Sequence, residues 1–310
     1  MRVFLALLVA LLLAACAGGA EKDAVVVVKP GSTLTAAARE MEAAGAISSA
    51  SAFLRHAKIF GSSAPIKPGE YELKDAMSAG DILALMQAGK TKQRFVIVPE
   101  GMPSVIVHDR LMRAEFLIGS VPVPADGSVL PDSYAYTRGE TRAAVVKRMQ
   151  EAMTKTLAVA WKNRKPTAVV RTPQEAVNLA AIVEKETAKP AERRLIAGVF
   201  SNRLRIGMKL AADPTIIYPI TRGRPLGRRI LRSERDAVND YNTYTRVGLP
   251  IGPIANPGKA SIEAVLDPDP TSYLYFVADG SGGHAFATTG AQHQANVDKW
   301  FAVRRSRGEM

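Results

Sequence analysis

The segment TPQEAVNLAAIVEKET, residues 172–187, has the most complete helix signal in the chain. Thr172 can act as the N-cap, Pro173 suits the first helical position, and Glu175 can complete a capping box. Apolar residues follow at helical spacing, which predicts an amphipathic helix that ends at about Lys189, before a proline. We expect this helix to organise the larger part of the fold.

Two glutamates stand near the end of this predicted helix. Glu184 and Glu186 fall on the two flanks of the apolar stripe, and Lys185 points away from it. A carboxyl group beside apolar side chains loses hydration, which raises its pKa and keeps a proton available near neutral pH. Such a group suits general acid catalysis, but periodicity does not choose between the two glutamates. The alternative is that both are solvated or ion-paired residues at a helix end.

Further motifs lie on both sides of this helix in a fixed order. They are LPDSY (130–134), AIVEKET (181–187), VFSNRL (199–204), GM (207–208), DPT (213–215) with Tyr218, YNTY (241–244), GLP (248–250), PIANPG (253–258), YFVA (275–278) and GHAF (283–286) with Thr289 and His293. Together they closely resemble the signature of the YceG-like family of endolytic murein transglycosylases. The resemblance covers essentially the whole exported chain.

The resemblance implies a reaction and a set of site residues. Glu186, the second glutamate of Glu-Lys-Glu, would be the catalytic residue, acting first as acid and then as base. The enzyme would cleave the MurNAc-β-1,4-GlcNAc bond within glycan strands and leave 1,6-anhydro-MurNAc ends, without a cofactor. Polar residues of the other motifs are candidates for binding the glycan: Asn202, Asp213, Tyr218, Tyr241, Asn242, Thr243 and Tyr244.

Four positions depart from the family pattern. Asp126 stands where the family usually has Glu, Ala211 and Ala212 replace a common Gln-Ser, and Gln292 replaces a common Glu. We expect these departures to affect substrate positioning more than the reaction. His284 and His293 are interpreted as hydrogen-bonded structural residues.

The N-terminus predicts export and membrane attachment. The apolar block from Val3 to Leu13 fits a signal sequence, and Leu13-Ala14-Ala15-Cys16 resembles a lipoprotein processing site. The alternative is a retained anchor extended through Ala20, close to the roughly 20 residues that a bilayer span needs. Either form places the rest of the chain at the inner membrane, facing the periplasm.

The remaining elements predict an α+β protein. A strand at Val25–Val28, helices from about residue 32 and over 49–60, and a strand at 69–73 resemble a LysM-like module. The alternative is a small α+β module that only positions its neighbour. A helix at 78–88, a strand at 94–98 and a helix at 142–163 follow. We therefore predict a signal or anchor over residues 1–20, a LysM-like module over 24–92 and a catalytic domain over 93–310.

The composition of the chain limits the classes of partner and of metal site that it can have. Lys and Arg number 41 against 29 Asp and Glu, a formal charge of +12 that favours polyanions, anionic lipid or carboxylate-bearing polymers. Cys16 is the single cysteine, which excludes a disulfide framework and a Cys-based zinc site. The arginine-rich, glycine-containing segment 222–235 predicts a mobile exposed loop. It lacks aromatic residues, and export removes nucleic acid as a partner. The family resemblance implies glycan strands of peptidoglycan and a peptidoglycan synthase as candidate partners, and the N-terminal segment adds the membrane.

Two other functions compete with this interpretation. A non-catalytic murein-binding or scaffold protein would use the LysM-like segment and would not need Glu186. A peptidoglycan hydrolase would need a second carboxylate, Asp213 or Glu184, within roughly 5 to 9.5 Å of Glu186.

Overall fold

Two compact units make up the described chain. The structure is a computed structural model that describes residues 18–309. The N-terminal unit contains the described residues up to Phe95 with Glu115–Leu117 and Ala135–Glu140; the C-terminal unit contains Val96–Ala114, Ile118–Tyr134 and the described residues from Thr141 on. Helices and small two-stranded sheets form the described part, so the predicted α+β class is confirmed. The boundary at residues 92 and 93 remains a prediction about domains.

The N-terminal unit is built around a two-stranded antiparallel sheet. Its elements are β1 (Ala24–Val28), α1 (Leu34–Ala43), α2 (Ala50–Phe60), β2 (Gly69–Leu73) and α3 (Ala79–Ala88). Strands β1 and β2 pair with Val26 opposite Tyr71. Tyr71 packs with Met41 and Phe53 in the core of this unit, where all three side chains are fully buried. The predicted order of strand, helix, helix and strand is therefore confirmed.

A buried carboxylate of the N-terminal unit contacts arginines from two different segments of that unit. Glu70 is 2% exposed and accepts hydrogen bonds from Arg94, and the guanidinium of Arg138 lies 3.5 Å from its carboxylate. Both guanidinium groups lie over the ring of Phe116, 4.5 and 3.5 Å from its centroid. The hydrogen bond from Arg94 is the main cause that lowers the pKa of Glu70.

The C-terminal unit surrounds a buried helix. Its helices are α4 (Ser104–Arg113), α5 (Arg142–Lys162), α6 (Pro173–Glu186), α7 (Arg193–Arg205), α8 (Pro214–Thr221), α9 (Arg232–Arg235), α10 (Lys259–Leu266) and α11 (Gly290–Ser306). Every residue of α6 from Ala176 to Val183 is buried, because α5, α7 and α10 pack around this helix. Leu179, Ile182 and Phe200 lie in the resulting core. Burial on nearly all sides gives α6 a fixed position.

Two further sheets complete the described fold. Strands β3 (Arg94–Ile97) and β4 (Ser133–Tyr136) form one two-stranded sheet. Strands β5 (Tyr275–Ala278) and β6 (His284–Ala287) form an antiparallel hairpin, against which α11 packs.

The central helix begins as predicted but ends earlier. The Thr172 side chain accepts a hydrogen bond from the Glu175 backbone N–H, which confirms the cap. The prediction that the helix continues to Lys189 is wrong, because Thr187 is extended, with φ −138° and ψ 135°. Its β-branched side chain favours extended backbone, and its hydroxyl accepts from the Lys189 N–H at 3.0 Å, which offers the chain an alternative to the helix. Glu186 is consequently the last helical residue.

The predicted signal or anchor falls largely on residues 1–17, which lie outside the described residues. Of its last residues, Ala20 is 8% exposed and packs in the core of the N-terminal unit, where it forms an isolated bridge with Ile47. Between residues 18 and 309, we find no helix with the length and apolar character that crossing a bilayer requires.

Candidate active site

Glu186 combines a buried oxygen with an open side. The residue is partly exposed, yet its Oε1 is buried and has no hydrogen-bond partner within residues 18–309. Burial is the largest cause that raises its pKa from 4.5 to about 7; the charge of Asp213 raises it further, and Arg203 opposes the shift. The carboxyl also stands at the C-terminal end of α6, where the helix dipole disfavours negative charge. Glu186 can therefore hold a proton near neutral pH and release it into the adjacent space.

Glu184, on the same helix, has a different environment. Its side chain is 6% exposed, and its Oε1 lies 3.5 Å from Nη2 of Arg193. Its Oε2 accepts a hydrogen bond from the Gly258 N–H at 2.9 Å. These contacts stabilise the carboxylate and attach the Asn256-Pro257-Gly258 turn to α6. The helical pattern treats the two glutamates alike, but the structure separates them: among the described residues, Glu184 is ion-paired and Oε1 of Glu186 has no partner.

Glu186 opens into a cleft of about 720 Å³ in the C-terminal unit. The side chains with polar groups that line the cleft are those of Glu186, Arg203, Lys209, Asp213, Tyr244, Tyr275, His284 and His293. Residues of β5, among them Phe276, form an apolar wall. Another cleft, of about 770 Å³, lies beside Asn178 and Leu249, but the carboxyl group that lines it, that of Glu175, already accepts a hydrogen bond from the Arg171 N–H at 2.6 Å. Within the described chain, no group of three or more His, Cys, Asp and Glu residues is arranged to hold a metal ion.

Asp213 and Tyr244 form a hydrogen-bonded pair in this cleft. The Tyr244 hydroxyl donates to Oδ1 of Asp213 at 2.6 Å. Burial and this bond raise the pKa of Tyr244, so its hydroxyl stays protonated. Thr243 fixes the neighbouring backbone, because its hydroxyl accepts from the Ala212 N–H at 3.0 Å and pairs with the Thr215 hydroxyl at 2.8 Å. The negative charge of Asp213 is thereby held in the same cleft as Glu186.

Arg203 supplies a fixed positive charge. It is 8% exposed, and its guanidinium donates to the carbonyl oxygens of Leu274, at 2.6 Å, and Leu210. Burial lowers the pKa of Arg203, but guanidinium groups remain charged in proteins. Because Arg203 lowers the pKa of Glu186 while Asp213 raises it, the cleft balances two opposite charges around one carboxyl group.

The two histidines of the cleft differ in their partners. Nδ1 of His284 lies 2.7 Å from Oε2 of Glu192, and its backbone N–H donates to Oε1 at 3.1 Å. The interpretation of His284 as a hydrogen-bonded residue is confirmed. The ring of His293 stacks on Tyr275 at 5.2 Å, but its Nδ1 is buried and has no hydrogen-bond partner in the described part of the protein. The interpretation of His293 as hydrogen-bonded is therefore wrong for Nδ1.

Asp213 and Tyr244, among the predicted glycan-binding residues, line the Glu186 cleft. Asn202, Tyr218, Tyr241, Asn242 and Thr243 are not among its lining residues. The Asn202 amide donates to the carbonyl oxygens of Thr271 and Tyr273, at 2.8 and 3.0 Å. The amide N–H groups of Asn202 therefore already have partners inside the protein. A role for Asn202 in substrate binding stays a prediction.

Three other predicted ligands also have internal partners. The Tyr218 hydroxyl donates to Oδ2 of Asp126 at 2.7 Å, and its ring lies 4.6 Å from that of Tyr241. The buried Asn242 amide donates to the carbonyl oxygens of Arg235 and Ala237, at 2.9 and 2.7 Å. These contacts lie within the protein, and glycan binding by these residues stays a prediction.

Arg203, Lys209 and Tyr275 line the cleft but were not predicted as site residues. Arg203 and Tyr275 lie within two of the family motifs, VFSNRL and YFVA, so these motifs could have identified both as site residues. Nothing in the local sequence identifies Lys209.

The structure shows the surroundings of three of the four positions that depart from the family pattern. Asp126 accepts from the Ser104 N–H and from the Tyr218 hydroxyl, at 2.8 and 2.7 Å. Gln292 completes the capping box of α11. Ala211 does line the cleft, and its φ of 48° is one that non-glycine residues rarely adopt.

The arginine-rich segment 222–235 is exposed for much of its length but is not a free loop throughout. The segment contains the short helix α9, which begins directly after Leu231. Arg228 forms an ion pair with Glu234. Arg224 donates to Asp109 at 2.7 Å. These ion pairs reduce the number of arginines available to an anionic partner.

Comparison with known proteins gives a consistent family. The model of the YceG-like family matches residues 26–299. Curated relatives named endolytic murein transglycosylase occur in Bacillus subtilis strain 168, 31% identical over 184 residues, and in Streptococcus pneumoniae strain R6, 27% identical over 326 residues. These matches cover 59% and 89% of this chain but 50% and 58% of the relatives, so the chain spans little more than half their length. The crystal structure of a YceG-like protein from Listeria monocytogenes matches with a TM-score of 0.55 and 26% identity, over 89% of this chain and 99% of that one.

Proposed function

We propose that this chain, which belongs to the YceG-like family, is an endolytic murein transglycosylase with Glu186 as its catalytic acid and base. The observation that carries the proposal is the carboxyl group of Glu186, which opens into a cleft and whose pKa burial raises to about 7. The names of its relatives support murein as the substrate.

The proposed reaction uses one carboxyl group twice. Glu186 donates its proton to the oxygen between MurNAc and GlcNAc, and the bond from that oxygen to C1 of MurNAc breaks. The resulting carboxylate takes the proton of the MurNAc 6-hydroxyl, whose oxygen bonds to C1 and forms the 1,6-anhydro ring. The enzyme regains its proton, so no cofactor or water is consumed.

The surrounding charges support this cycle. Acid and base assistance of this kind contributes about 10² to 10⁴ in rate, so orientation and charge stabilisation must supply the rest. The negative charge of Asp213, held by Tyr244, favours the positive charge that develops at C1. Arg203 favours the carboxylate form of Glu186 that the second half of the reaction needs.

A hydrolase is the second candidate, because Asp213 places another carboxyl group in the same cleft. In that reaction, a second carboxylate activates water or attacks C1, and the product has a reducing end. The non-catalytic scaffold is less well supported, because a binding protein has no need for an unpaired, proton-holding carboxyl group in its cleft.

The experiment that tests the proposal is mass spectrometry of muropeptides from purified sacculi treated with the protein. We expect anhydro-MurNAc ends from the wild type and none from Glu186→Gln. Glu184→Gln is the matched control, because it removes a carboxylate from the same helix and should leave the product unchanged. Reducing ends would replace the transglycosylase by the hydrolase, and binding of sacculi without products would favour the scaffold.

The N-terminal unit is proposed to bind glycan as a LysM-like module. Its strand, helix, helix and strand order supports this role. A truncated protein without residues 18–92 should digest sacculi more slowly, and an unchanged rate would reduce this unit to a spacer.

Attachment to the inner membrane, with the catalytic unit in the periplasm, is likewise proposed. The support is the signal-like sequence before Cys16. Because Ala20 packs in the core of the N-terminal unit, a bilayer span extended to that residue would have to break those contacts. Mass spectrometry of the protein from membranes distinguishes a lipid-modified Cys16 from an intact N-terminus. In this position the enzyme would terminate glycan strands, with a peptidoglycan synthase as the proposed partner.

A further inference from the structure

The segment between α7 and α8 forms one wall of the Glu186 cleft. Its residues that line the cleft are Met208, Lys209, Ala211 and Asp213. Leu210, which separates Lys209 from Ala211, is fully buried in the core. The segment therefore turns alternate side chains toward the cleft and toward the interior. The proposed reaction uses the charge of Asp213, but it gives no role to Lys209.

Hydrogen bonds hold the backbone on both sides of Lys209. The Met208 N–H donates to the carbonyl oxygen of Arg203 at 2.8 Å, which closes the end of α7. The carbonyl oxygen of Leu210 accepts a hydrogen bond from the Arg203 guanidinium. The base of the Lys209 side chain is thus fixed at the cleft wall, and its flexible stem extends from there.

Lys209 carries a positive charge that the protein leaves available. Its side chain is exposed, and within residues 18–309 its ammonium group has no ion pair or hydrogen bond. Arg203 lines the same cleft but is 8% exposed, and its guanidinium donates to the carbonyl oxygens of Leu274 and Leu210. An ammonium group has three donors and no acceptor, so Lys209 can bind an anionic ligand without breaking a contact of the described chain.

The cleft wall next to Lys209 leaves room for a substituent. Ala211 contributes only a methyl group at a position where the family usually has Gln. A side chain built at Gly207 would meet no atom within 4 Å. Lys209 and Asp213 are four residues apart, so their Cα atoms are at most about 14 Å apart. A group attached to a sugar ring beside Asp213 is therefore within reach of the Lys209 side chain.

A peptidoglycan strand carries negative charge in one kind of place. Its sugar rings are neutral, and MurNAc alone bears a lactyl ether. The lactyl group ends in a carboxylate where the stem peptide is absent. Where the peptide is present, the lactyl group is an amide, and the peptide supplies carboxylates of its own. An ammonium group stabilises a carboxylate from either source by a charge-assisted hydrogen bond.

We propose that Lys209 forms a carboxylate-binding subsite in the Glu186 cleft and binds a carboxylate carried by the MurNAc lactyl group or by its stem peptide. Asp213 repels a carboxylate and Lys209 attracts it, so the two charges orient this substituent along the cleft wall. The inference rests on the proposed function, since it takes a glycan strand as the occupant of the cleft. It makes Lys209 a residue that favours MurNAc-containing strands over neutral glycans.

The test is calorimetric binding to the full-length protein in the Glu186→Gln background, which prevents turnover. Three tetrasaccharides of alternating GlcNAc and MurNAc are compared: one with stem peptides, one with free lactyl carboxylates, and one whose lactyl groups are simple amides. Lys209→Met keeps the length of the side chain and removes its charge. We expect its affinity for at least one carboxylate-bearing ligand to fall about two- to fivefold, because the ion pair is exposed to solvent. Its affinity for the neutral amide ligand should be unchanged.

Two further variants separate charge from structure. Lys209→Arg keeps the positive charge and should retain most of the affinity. Lys155→Met is the matched control, because it removes an exposed lysine of α5 that does not line the cleft. It should leave the affinity for all three ligands unchanged. Added salt should reduce the difference between Lys209→Met and its parent, because salt screens an exposed ion pair.

Unchanged affinity of Lys209→Met for both carboxylate-bearing ligands would overturn the inference. An equal loss of affinity for the amide ligand would also overturn it, because the contact would then not depend on charge. A loss confined to the peptide-bearing ligand assigns the partner to the stem peptide, and a loss with the peptide-free carboxylate ligand assigns it to the lactyl group. A failure of the proposed function is distinguishable: in that case the wild type releases no ends from sacculi and the Glu186→Gln protein binds none of the three ligands.

Discussion

Removal of the Glu186 carboxyl group should stabilise the C-terminal unit at neutral and alkaline pH. The pKa of Glu186 in the folded protein is about 7, above its ordinary value of 4.5, so the folded state binds this proton more tightly than the unfolded state does. The resulting stability is fully present below pH 4.5 and is lost as the pH rises through about 7. At about 1.4 kcal/mol per pH unit, the difference amounts to at most about 3 kcal/mol, because water in the cleft shields part of the charge.

Glu186→Gln carries no titrating group at this position and should not show that loss. Urea unfolding followed by tryptophan fluorescence measures the effect in the correct unit, because Trp161 and Trp300 both lie in the C-terminal unit. We expect the free energy of unfolding of the variant, minus that of the wild type, to increase by up to about 3 kcal/mol from pH 4.5 to pH 8. Glu151→Gln, on the exposed side of α5, is the matched control for the loss of one negative charge.

A difference in the free energy of unfolding that is the same at all pH values would reflect only the replacement of the carboxyl group by an amide, and not the titration of Glu186. A difference that does not change between pH 4.5 and pH 8 would therefore refute the assignment of a proton-holding carboxyl group. A difference that decreases with pH would mean that Glu186 has a stabilising partner for its charged form, as Glu184 has.

The remaining predictions concern neighbouring residues. In Asp213→Asn, loss of the negative charge should lower the pKa of Glu186, so the alkaline limb of the pH–rate profile should move to lower pH; an unmoved limb would contradict the electrostatic coupling. Glu184→Gln should lower the free energy of unfolding by about 1 to 3 kcal/mol, because the amide cannot form the ion pair with Arg193, whose side chain is 11% exposed, and urea unfolding at pH 7 would show whether it does. Asn256→Ala should cost about 3 kcal/mol or more in thermal unfolding, because the Asn256 amide donates to Met102 O and Ser104 Oγ and accepts from Val129 N, each within 3.1 Å; a loss below about 1 kcal/mol would mean that water replaces these bonds.

Features that depend on a few neighbouring residues could be predicted from the sequence. The cap at Thr172, the helix at 78–88 and the strand at 69–73 require only local backbone preferences, and all are present. Helix α4 and strand β4 were not predicted, because their signals are short: α4 follows a proline without a side-chain cap, and β4 has four residues. Their conformations depend on packing within the folded chain.

The roles of individual polar residues depended on distant contacts. Glu184 and Glu186 are equivalent on a helical wheel, but Gly258, 74 residues after Glu184, supplies the N–H that occupies Glu184. The interior positions of Asn202 and Asn242 likewise depend on carbonyl groups of other loops. A motif therefore identified the residues near the cleft, while hydrogen bonding decided which of them face it.

The cleft collects features that each reduce stability. Ala211 has a positive φ, and Glu186 and His293 each bury an atom without a partner in the described chain. Strained backbone and unpaired polar atoms cost about 1 to 3 kcal/mol each, so they persist only where the surrounding structure holds them in place. Helix α6 supplies that support, because its residues from Ala176 to Val183 are buried and fix the backbone up to Glu186, the last residue of the helix. A stable helix that ends at Glu186 can keep this carboxyl group desolvated without a neutralising partner, and a surface loop could not.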